Sequence, residues 1–372
     1  MTSMRGSPGR AVRARRRAAV LLNACLQPLG LAVIPAASLT EAQRRAGRLR
    51  RDGAGVDARD RRELTSTNPR LLELSRRYRA AGPVGGRDAP TLWRPGYVRP
   101  ADLLFFRGDN PYVFQCRAGA GPEQHLLTWL YLKEGDHLRL LDRLREDGDY
   151  GVCAFPTGEV DAGGQPCLVS RDLLDSVSEL LFLDRTLGLA TSGSKTAGVL
   201  DIGSGYGRLA HRAAALPARS TWYCVDAVPE STFLCEYYLA RKGVTGGAWV
   251  VPLDELGQLP DEGAIDLAVA VHSMSEFPPA AVDFWVGLCA RLKVQHLFVV
   301  PNGSARGSTA LRFSYGNCDD FRPLLEAHGY RLRHAEPKYA NPEVQKLGIT
   351  PAWYYLFELG GTGGRGASPA TG

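Results

Sequence analysis

The 372-residue chain lacks the cysteine patterns of a metal-binding or disulfide-rich protein. Its eight cysteines include no CxxC pair and no Cys/His spacing typical of zinc ligands. Several lie in apolar segments, as Cys224 and Cys289 do. We therefore expect buried free thiols in a reducing compartment, which favours a cytoplasmic protein.

Long apolar runs are also missing. No stretch reaches the roughly 18 consecutive apolar residues that a membrane-spanning helix needs. Near the amino terminus, RARRRAAVLLNACLQPLGLAVIPAAS has the arginines and small residues of an export signal, but Asn23, Gln27 and Pro28 interrupt its apolar core. We expect an amphipathic or loosely ordered segment there, with no export and no membrane partner.

Basic charge is concentrated at one end of the chain. The net charge is +6, yet residues 1–60 hold twelve Arg against four acidic residues, so the remainder is slightly acidic. A nucleic-acid-binding domain would carry positive charge on its folded body. We therefore expect a basic, partly disordered arm over 1–60, a disordered Gly-rich tail over 361–372 and no nucleic-acid partner.

The rest of the chain consists of two regions with different sequence patterns. Residues 61–190 are mainly helical in pattern and include one amphipathic helix, SRDLLDSVSELLFLDRTLG, which Ser170 should cap. Over 191–360, short apolar runs alternate with helical segments, from AGVLDI to AWYYLFEL. This pattern predicts an α/β domain, with a doubly wound, mostly parallel seven-stranded sheet and a mainly helical N-terminal extension or cap.

A glycine cluster follows the first strand of this sheet, in VLDIGSGYGRLAHR. Gly203, Gly205 and Gly207 let the backbone approach a ligand and lead into a helix whose first N–H groups face it. The spacing is GxGxG, and Arg208 stands where the dinucleotide fingerprint has its third glycine. Asp201, before the loop, suits a cation better than a pyrophosphate.

Acidic residues also follow the next two strands. Asp226 in YCVDAVPE lies at the position where nucleotide-binding α/β folds place an acid to bind ribose hydroxyls. Asp254, after AWVVPL, would contact or flank an adenine, or else is a surface acid at a strand end. An acid followed by GxGxG resembles motif I of S-adenosylmethionine-dependent methyltransferases. The resemblance implies a cofactor site formed by Asp201, Gly203, Ser204, Gly205, Gly207, Asp226, Ala227, Asp254 and His272.

A longer series of segments resembles one methyltransferase family. The chain is similar to the sugar O-methyltransferase family in VSRDLLDSVSELLFLDR, VLDIGSGYGRLAHR, CVDAVPESTFLCEYYLARKGV, HSMSEFP and LFVVPNG, and upstream in FFRGDNPYVFQCR and LLTWLYLKEGDHLRLLDRLREDGDYG. The similarity covers residues 65 to 359. It implies a Rossmann-like methyltransferase that methylates a hydroxyl of a sugar or glycosylated metabolite. The Arg-, Ala- and Gly-rich composition favours a role in secondary metabolism.

The fourth strand ends in a polar cluster, in IDLAVAVHSMSEFPP. Ligands of doubly wound sheets bind at the carboxyl ends of strands, where His272 is the first polar residue. Methyl transfer to a hydroxyl needs a base, and an imidazole with a pKa of about 6.5 can act at neutral pH. We predict that His272 is this base. Glu276 is the alternative base, or orients His272 or a sugar hydroxyl, and strand capping is the alternative role of His272.

The acceptor site is predicted from four parts of the chain: the turn in FFRGDN, the helix before the first strand, the glycine loop, and the end of the fifth strand. The helix residues Asp175 and Glu179 are four apart, so they share a face that either lines the pocket or is solvated. The predicted acceptor-binding residues are Arg107, Asp109, Arg171, Asp175, Glu179, Tyr206 and Asn302. We expect a small-molecule sugar or glycoside as partner and leave a homo-oligomer open. No metal ligands are predicted, although some sugar O-methyltransferases use a divalent metal.

Other functions fit parts of the sequence. An NAD-dependent oxidoreductase on a similar fold is disfavoured by the GxGxG spacing and by Asp201. A nucleic-acid methyltransferase would use the Arg-rich arm, but the (D/N)PP(Y/F) signature of amino-methylating enzymes does not follow the fourth strand. A non-catalytic scaffold is disfavoured because it would not require the glycines of the GxGxG loop or the acids that follow the first three strands. A methyltransferase with a non-sugar acceptor is the remaining alternative.

Overall fold

A computed structural model of the protein describes most of the chain beyond its first 54 residues. The described residues are 55–82, 97–108, 120–161, 163–190, 198–217, 220–244, 246–302 and 310–360. They belong to one compact unit, Ala54–Gly372. Most of the predicted arm, the predicted tail and the predicted site residue Asp109 lie outside the described residues.

The amino-terminal part of the described chain is mainly helical. Its helices are α1 (Ala58–Glu63), α2 (Pro69–Ala81), α3 (Pro100–Leu104), α4 (Pro122–Gly135), α5 (Leu140–Arg143) and α6 (Arg171–Leu187). Between α5 and α6 the chain forms an antiparallel hairpin of β1 (Ala154–Val160) and β2 (Pro166–Ser170), which the sequence analysis did not predict. All seven residues of β1 are exposed or half-buried, and its sequence lacks the apolar alternation that indicates a strand.

Helix α6 begins where the sequence predicts. The Ser170 hydroxyl accepts a hydrogen bond from the Leu173 N–H at 3.1 Å, and Gly188 ends the helix in a left-handed conformation. Twelve consecutive residues, 172–183, are buried. Because several of them are charged, their side chains need partners inside the protein.

A seven-stranded sheet follows α6. Its strands are β3 (Gly198–Ile202), β4 (Thr221–Val225), β5 (Ala248–Val250), β6 (Leu267–Val271), β7 (His296–Val300), β8 (Tyr330–Pro337) and β9 (Trp353–Leu359). The strand order is β5-β4-β3-β6-β7-β9-β8. Neighbours from β5 to β7 are parallel, and β9 is antiparallel to both β7 and β8. The predicted doubly wound, mostly parallel seven-stranded sheet is confirmed.

Helices join the strands of this sheet. They are α7 (Arg208–Ala213), α8 (Pro229–Arg241), α9 (Pro279–Arg291), α10 (Arg322–Ala327) and α11 (Pro342–Leu347), with short 3-10 turns at Leu253–Gln258 and Ser273–Ser275. None of the helices in the described part of the chain is long and apolar enough to cross a membrane.

The central strands carry apolar side chains on both faces. Leu200 of β3 and Ala268 of β6 belong to one buried cluster, whereas Val199 and Leu267 belong to another. Alternate residues of one strand therefore contribute to different sides of the sheet. The chain leaves β3 toward β4 on one side and β6 lies on the other, so the order reverses at β3. Ligands of open α/β sheets bind outside the carboxyl ends of the strands at such a point.

Candidate functional site

The loop after β3 is a tight turn that backbone hydrogen bonds close. The N–H groups of Gly203 and Ser204 both donate to the Val225 carbonyl at the end of β4, at 2.9 and 3.1 Å. Gly203, Gly205 and Gly207 have φ values of 73°, 58° and 82°. Side chains disfavour this region, so the backbone of the turn requires its three glycines.

Only one of the three glycines faces open space. A Cβ on Gly203 would lie 2.4 Å from the Ser273 Cβ, and a Cβ on Gly207 would lie 2.8 Å from the Cys235 Sγ. A Cβ on Gly205 would meet no atom of the described residues within 4 Å. A ligand can therefore approach the backbone at Gly205, whereas the other two glycines allow close internal packing.

Asp226 lies beside this turn at the end of β4. Its two carboxylate oxygens accept hydrogen bonds from the N–H groups of Gly205 and Val228, at 2.9 and 2.8 Å. Burial raises the pKa of Asp226 to about 7, and the carboxylates of Glu276 and Glu230 contribute, although the two hydrogen bonds lower it. The next residue, the predicted cofactor-binding Ala227, is exposed.

Asp201 is a second carboxyl group at the same edge of the sheet. It lies within β3, between Cys224 of β4 and Val269 of β6, and only 4% of it is exposed. Burial raises its pKa to about 7, the carboxylate of Asp226 also raises it, and the Arg208 guanidinium lowers it. Asp226 therefore makes Asp201 harder to ionise, and both carboxyl groups beside the loop are costly to ionise. Such a site favours a proton or another cation.

His272 follows β6 in a left-handed conformation with a φ of 66°. Its N–H donates to the Val300 carbonyl at 2.7 Å. A side chain in this region is uncommon and strained, as often occurs at functional sites. Burial lowers the pKa of His272 to about 3, and Arg171 also lowers it while Asp175 opposes the shift. The imidazole is therefore neutral, and its buried Nδ1 has no hydrogen-bond partner among the described residues.

Hydrogen bonds tie the turn after His272 to β7. The Asn302 N–H donates to the Ser275 Oγ at 3.0 Å, and its side-chain amide donates to the Glu276 Oε1 at 3.0 Å and the Ser314 Oγ at 2.9 Å. Two predicted residues, Glu276 and Asn302, are thus in direct contact. Among the residues that the structure describes, no group of three or more His, Cys, Asp or Glu could hold a metal ion.

Charged residues of α6 form buried ion pairs near His272. The Arg171 Nε lies 3.1 Å from the Asp175 Oδ2, and the Lys338 Nζ donates to the Asp175 Oδ1. Lys338 follows β8 and also lies 3.4 Å from the Thr350 carbonyl oxygen. Burial disfavours the Asp175 carboxylate, but Lys338 and Arg171 hold its pKa well below the usual value. Two predicted acceptor residues therefore lie together, with a lysine that the sequence analysis missed.

The second predicted acid of α6, Glu179, pairs with an arginine that follows the glycine loop. The Glu179 Oε2 lies 2.9 Å from the Arg208 Nη1, and the same nitrogen donates to the Ser176 Oγ at 2.7 Å. Burial raises the pKa of Glu179, which Arg208 opposes. Arg208, the first residue of α7, thus joins the end of the glycine loop to α6.

Two other predicted acceptor residues lie in the interior. Arg107 is fully buried and forms ion pairs with Glu146, Asp147 and Asp172, at 2.9, 2.8 and 3.0 Å. The Tyr206 hydroxyl donates to the Asp172 Oδ2. The structure places Arg107 and Tyr206 in one buried network that connects the N-terminal extension to the glycine loop.

Asp254 is paired with the N-terminal extension. The Arg77 Nε lies 2.7 Å from its Oδ2, and the Arg77 Nη2 lies 2.9 Å from its Oδ1. The adjacent Tyr78 hydroxyl accepts from the Leu253 N–H at 2.9 Å and lies 3.3 Å from the Asp226 carbonyl oxygen. Helix α2 therefore joins the ends of β4 and β5 at the site, a contact that the sequence analysis missed.

Comparison with known proteins gives structural likeness at low identity. No family model and no curated protein matches the chain. Magnesium protoporphyrin IX methyltransferase from Synechocystis PCC 6803, with bound SAM, is 13% identical with a TM-score of 0.36, over 63% of this chain and 97% of that chain. A SAM dependent methyltransferase from Aquifex aeolicus is 14% identical with a TM-score of 0.34, over 49% and 89%. Likeness at this level does not identify an activity, so the resemblance to the sugar O-methyltransferase family stays a prediction.

Proposed function

We propose that the protein transfers a methyl group from S-adenosylmethionine to a hydroxyl of a sugar or glycosylated metabolite. The observation that carries the proposal is the pair of buried carboxyl groups, Asp201 and Asp226, each with a pKa raised to about 7, around a loop that is open at Gly205. S-adenosylmethionine has a sulfonium and an ammonium group, whereas NAD has an anionic pyrophosphate. An acidic site of this kind favours the cationic ligand and disfavours NAD.

The residues of the loop fit such a cofactor. The backbone of 203–207 would face its amino-acid part and ribose, with Gly205 at the point of closest approach. Each carboxylate oxygen of Asp226 accepts one backbone hydrogen bond and retains a second lone pair for a ribose hydroxyl. Asp254 would flank the adenine while it remains paired with Arg77.

The bound cofactor would supply an electrophilic methyl group with a good leaving group. The chain would then have to align the acceptor hydroxyl and remove its proton. With a pKa of about 3, His272 is a weak base, but it is neutral and ready to accept a proton. The hydroxyl proton becomes strongly acidic as its oxygen gains a methyl group. A weak base therefore suffices if this proton leaves during or after the methyl transfer. Glu276, held by Asn302, is the second candidate base.

Support for a sugar acceptor is of a different kind. It comes from the resemblance of the sequence segments to sugar O-methyltransferases. Hydrogen-bonding side chains also follow His272 and β7, among them Glu276, Asn302 and Ser314. A non-sugar hydroxyl acceptor is the alternative. An acceptor panel with release of S-adenosylhomocysteine as the readout separates the two.

A matched pair of glycine variants tests the cofactor site. In Gly205→Ala, the new methyl group would occupy the open space over the loop, so we expect affinity for S-adenosylmethionine to fall at least about tenfold. Gly243 is the control because it also has a positive φ, 66°, and open space around its Cβ position, but it lies at the far end of α8. Gly243→Ala should incur a similar cost in stability, about 1 kcal/mol, with no loss of affinity. Equal affinity of the two variants, or no binding by the wild type, contradicts the proposal.

A further inference from the structure

A buried cluster beside the proposed methyl-transfer site has more positive than negative charge. We define the acceptor cluster as His125, Arg171, Asp175, His272 and Lys338. Within it, Arg171 and Lys338 share the single carboxylate of Asp175. Asp175 is 4% exposed and Lys338 is 7% exposed, so solvent screens these charges poorly. A buried excess charge is costly unless a counter-charge is present.

Two neighbouring acids form their ion pairs with other guanidinium groups. Glu179 is bound by Arg208, and Asp172 is bound by Arg107. Asp172 shares Arg107 with Glu146 and Asp147, and neither Asp172 nor Glu179 forms an ion pair with Arg171 or Lys338 in the described part of the chain. Asp175 is therefore the one carboxylate among the described residues that pairs with both Arg171 and Lys338. Burial lowers the pKa of Lys338 although Asp175 and Glu179 oppose the shift, so its positive charge is only partly compensated and an anionic ligand would stabilise it.

His125 of α4 provides an unused hydrogen-bond acceptor in the same cluster. Its Nδ1 lies 2.8 Å from the Gly121 carbonyl oxygen, and a carbonyl can only accept, so Nδ1 carries the hydrogen. Burial lowers the pKa of His125, so the ring is neutral and Nε2 has a lone pair. Nε2 is buried and has no partner in the described part of the chain. It therefore requires a donor, which a ligand hydroxyl would supply.

The two imidazoles of the cluster lie within reach of the same charges. Asp175 and Arg171 act on His125 and on His272 alike. The Nδ1 of His272 is also buried without a hydrogen-bond partner among the described residues. Two unpartnered imidazole nitrogens beside an excess positive charge fit a ligand that has both hydroxyl groups and an anionic group.

We propose that the methyl acceptor is an acidic sugar, whose anionic group binds Arg171 and Lys338 while a hydroxyl donates to the Nε2 of His125. This inference rests on the proposed methyl transfer and names its substrate class. A guanidinium can bind a carboxylate or a phosphate with two parallel hydrogen bonds. A uronic acid and a sugar phosphate share this chemistry, and their relative affinities distinguish them.

Binding of three probes tests the inference on the full chain. Glucuronate, glucose 1-phosphate and methyl glucoside are titrated by calorimetry, with and without S-adenosylhomocysteine. We expect at least one of the two acids to bind about tenfold or more tightly than methyl glucoside, as a charge-assisted hydrogen bond predicts. The tighter acid identifies the anionic group. Equal or tighter binding of methyl glucoside, or no binding of any probe, overturns the inference.

Variants of α6 locate the anion site. Arg171→Gln should remove most of the preference for the acid, whereas Arg185→Gln, an exposed arginine of the same helix, should keep it. Lys338→Met should likewise reduce the preference for the acid, whereas the control Lys346→Met, in α11, should keep it. The melting temperatures of both variants show whether the substitution of buried Lys338 disturbs folding. An unchanged acid preference in a folded Arg171→Gln protein overturns the inference. If the protein does not bind S-adenosylhomocysteine, the proposed methyl transfer is refuted. The probe titrations without S-adenosylhomocysteine still measure the preference for an acid, so the two failures can be distinguished.

Discussion

Binding of a cationic ligand at the glycine loop should release protons. Burial raises the pKa values of Asp201 and Asp226 to about 7. At pH 7 each carboxyl group is therefore about half protonated, and together they hold about one proton. S-adenosylmethionine favours the ionised carboxylates, so its binding at pH 7 should release about one proton per chain.

The same shift makes the affinity depend on pH. Protonated carboxyl groups do not attract the cation, so affinity should rise with pH until both groups are ionised. At pH 6 each group with a pKa of about 7 is roughly nine-tenths protonated, and at pH 8 roughly one-tenth. Between these values each carboxyl group changes the affinity about tenfold, so the combined effect is up to about a hundredfold.

Calorimetry in buffers with different ionisation enthalpies measures the released protons. The apparent binding enthalpy should vary with buffer enthalpy with a slope of about one proton at pH 7, and Asp226→Asn should reduce that slope to about half. Asp254→Asn is the control because a hydrogen bond from Arg77 lowers the pKa of Asp254, which is ionised before the ligand binds. An enthalpy independent of buffer, with equal affinity at pH 6 and pH 8, refutes the reasoning.

Two further predictions concern catalysis and the N-terminal boundary. His272→Ala should lower turnover about 10²–10⁴-fold and leave S-adenosylmethionine binding intact. His334 is exposed, so the control His334→Ala should change neither quantity. Near-wild-type turnover of His272→Ala would exclude His272 as the base. Relative to a chain that begins at residue 55, a chain that lacks residues through Asp60 should have a free energy of unfolding lower by about 2 kcal/mol, because buried Asp60 accepts hydrogen bonds from Tyr237 at 2.7 Å and Tyr150 at 3.2 Å. Chemical denaturation measures both truncations, and equal stability would show that Asp60 contributes nothing.

The parts of the fold that local sequence determines could be predicted. Strands β3 and β6 are apolar on both faces, so their burial between two layers follows from composition alone. The glycine loop requires positive φ at three positions, and GxGxG marks all three. The N-cap of α6 is equally local, because Ser170 bonds an N–H only three residues away.

Contacts between distant parts of the chain could not be predicted in this way. Lys338 and Asp175 are 163 residues apart, and Arg77 and Asp254 are 177 apart. No local pattern encodes either pair. The turn with Arg107 has the composition of an exposed polar turn, yet its guanidinium is fully buried by three acids from other segments. The sequence therefore predicted where the candidate site lies better than which charged side chains line it.

The most direct test of the proposed function is calorimetric titration of the full chain with S-adenosylmethionine and, separately, with NAD. We predict saturable binding of S-adenosylmethionine at one site per chain, no binding of NAD, and no change in the S-adenosylmethionine isotherm when NAD is present. Binding of NAD in preference to S-adenosylmethionine would contradict the proposal and would instead favour an oxidoreductase on this sheet.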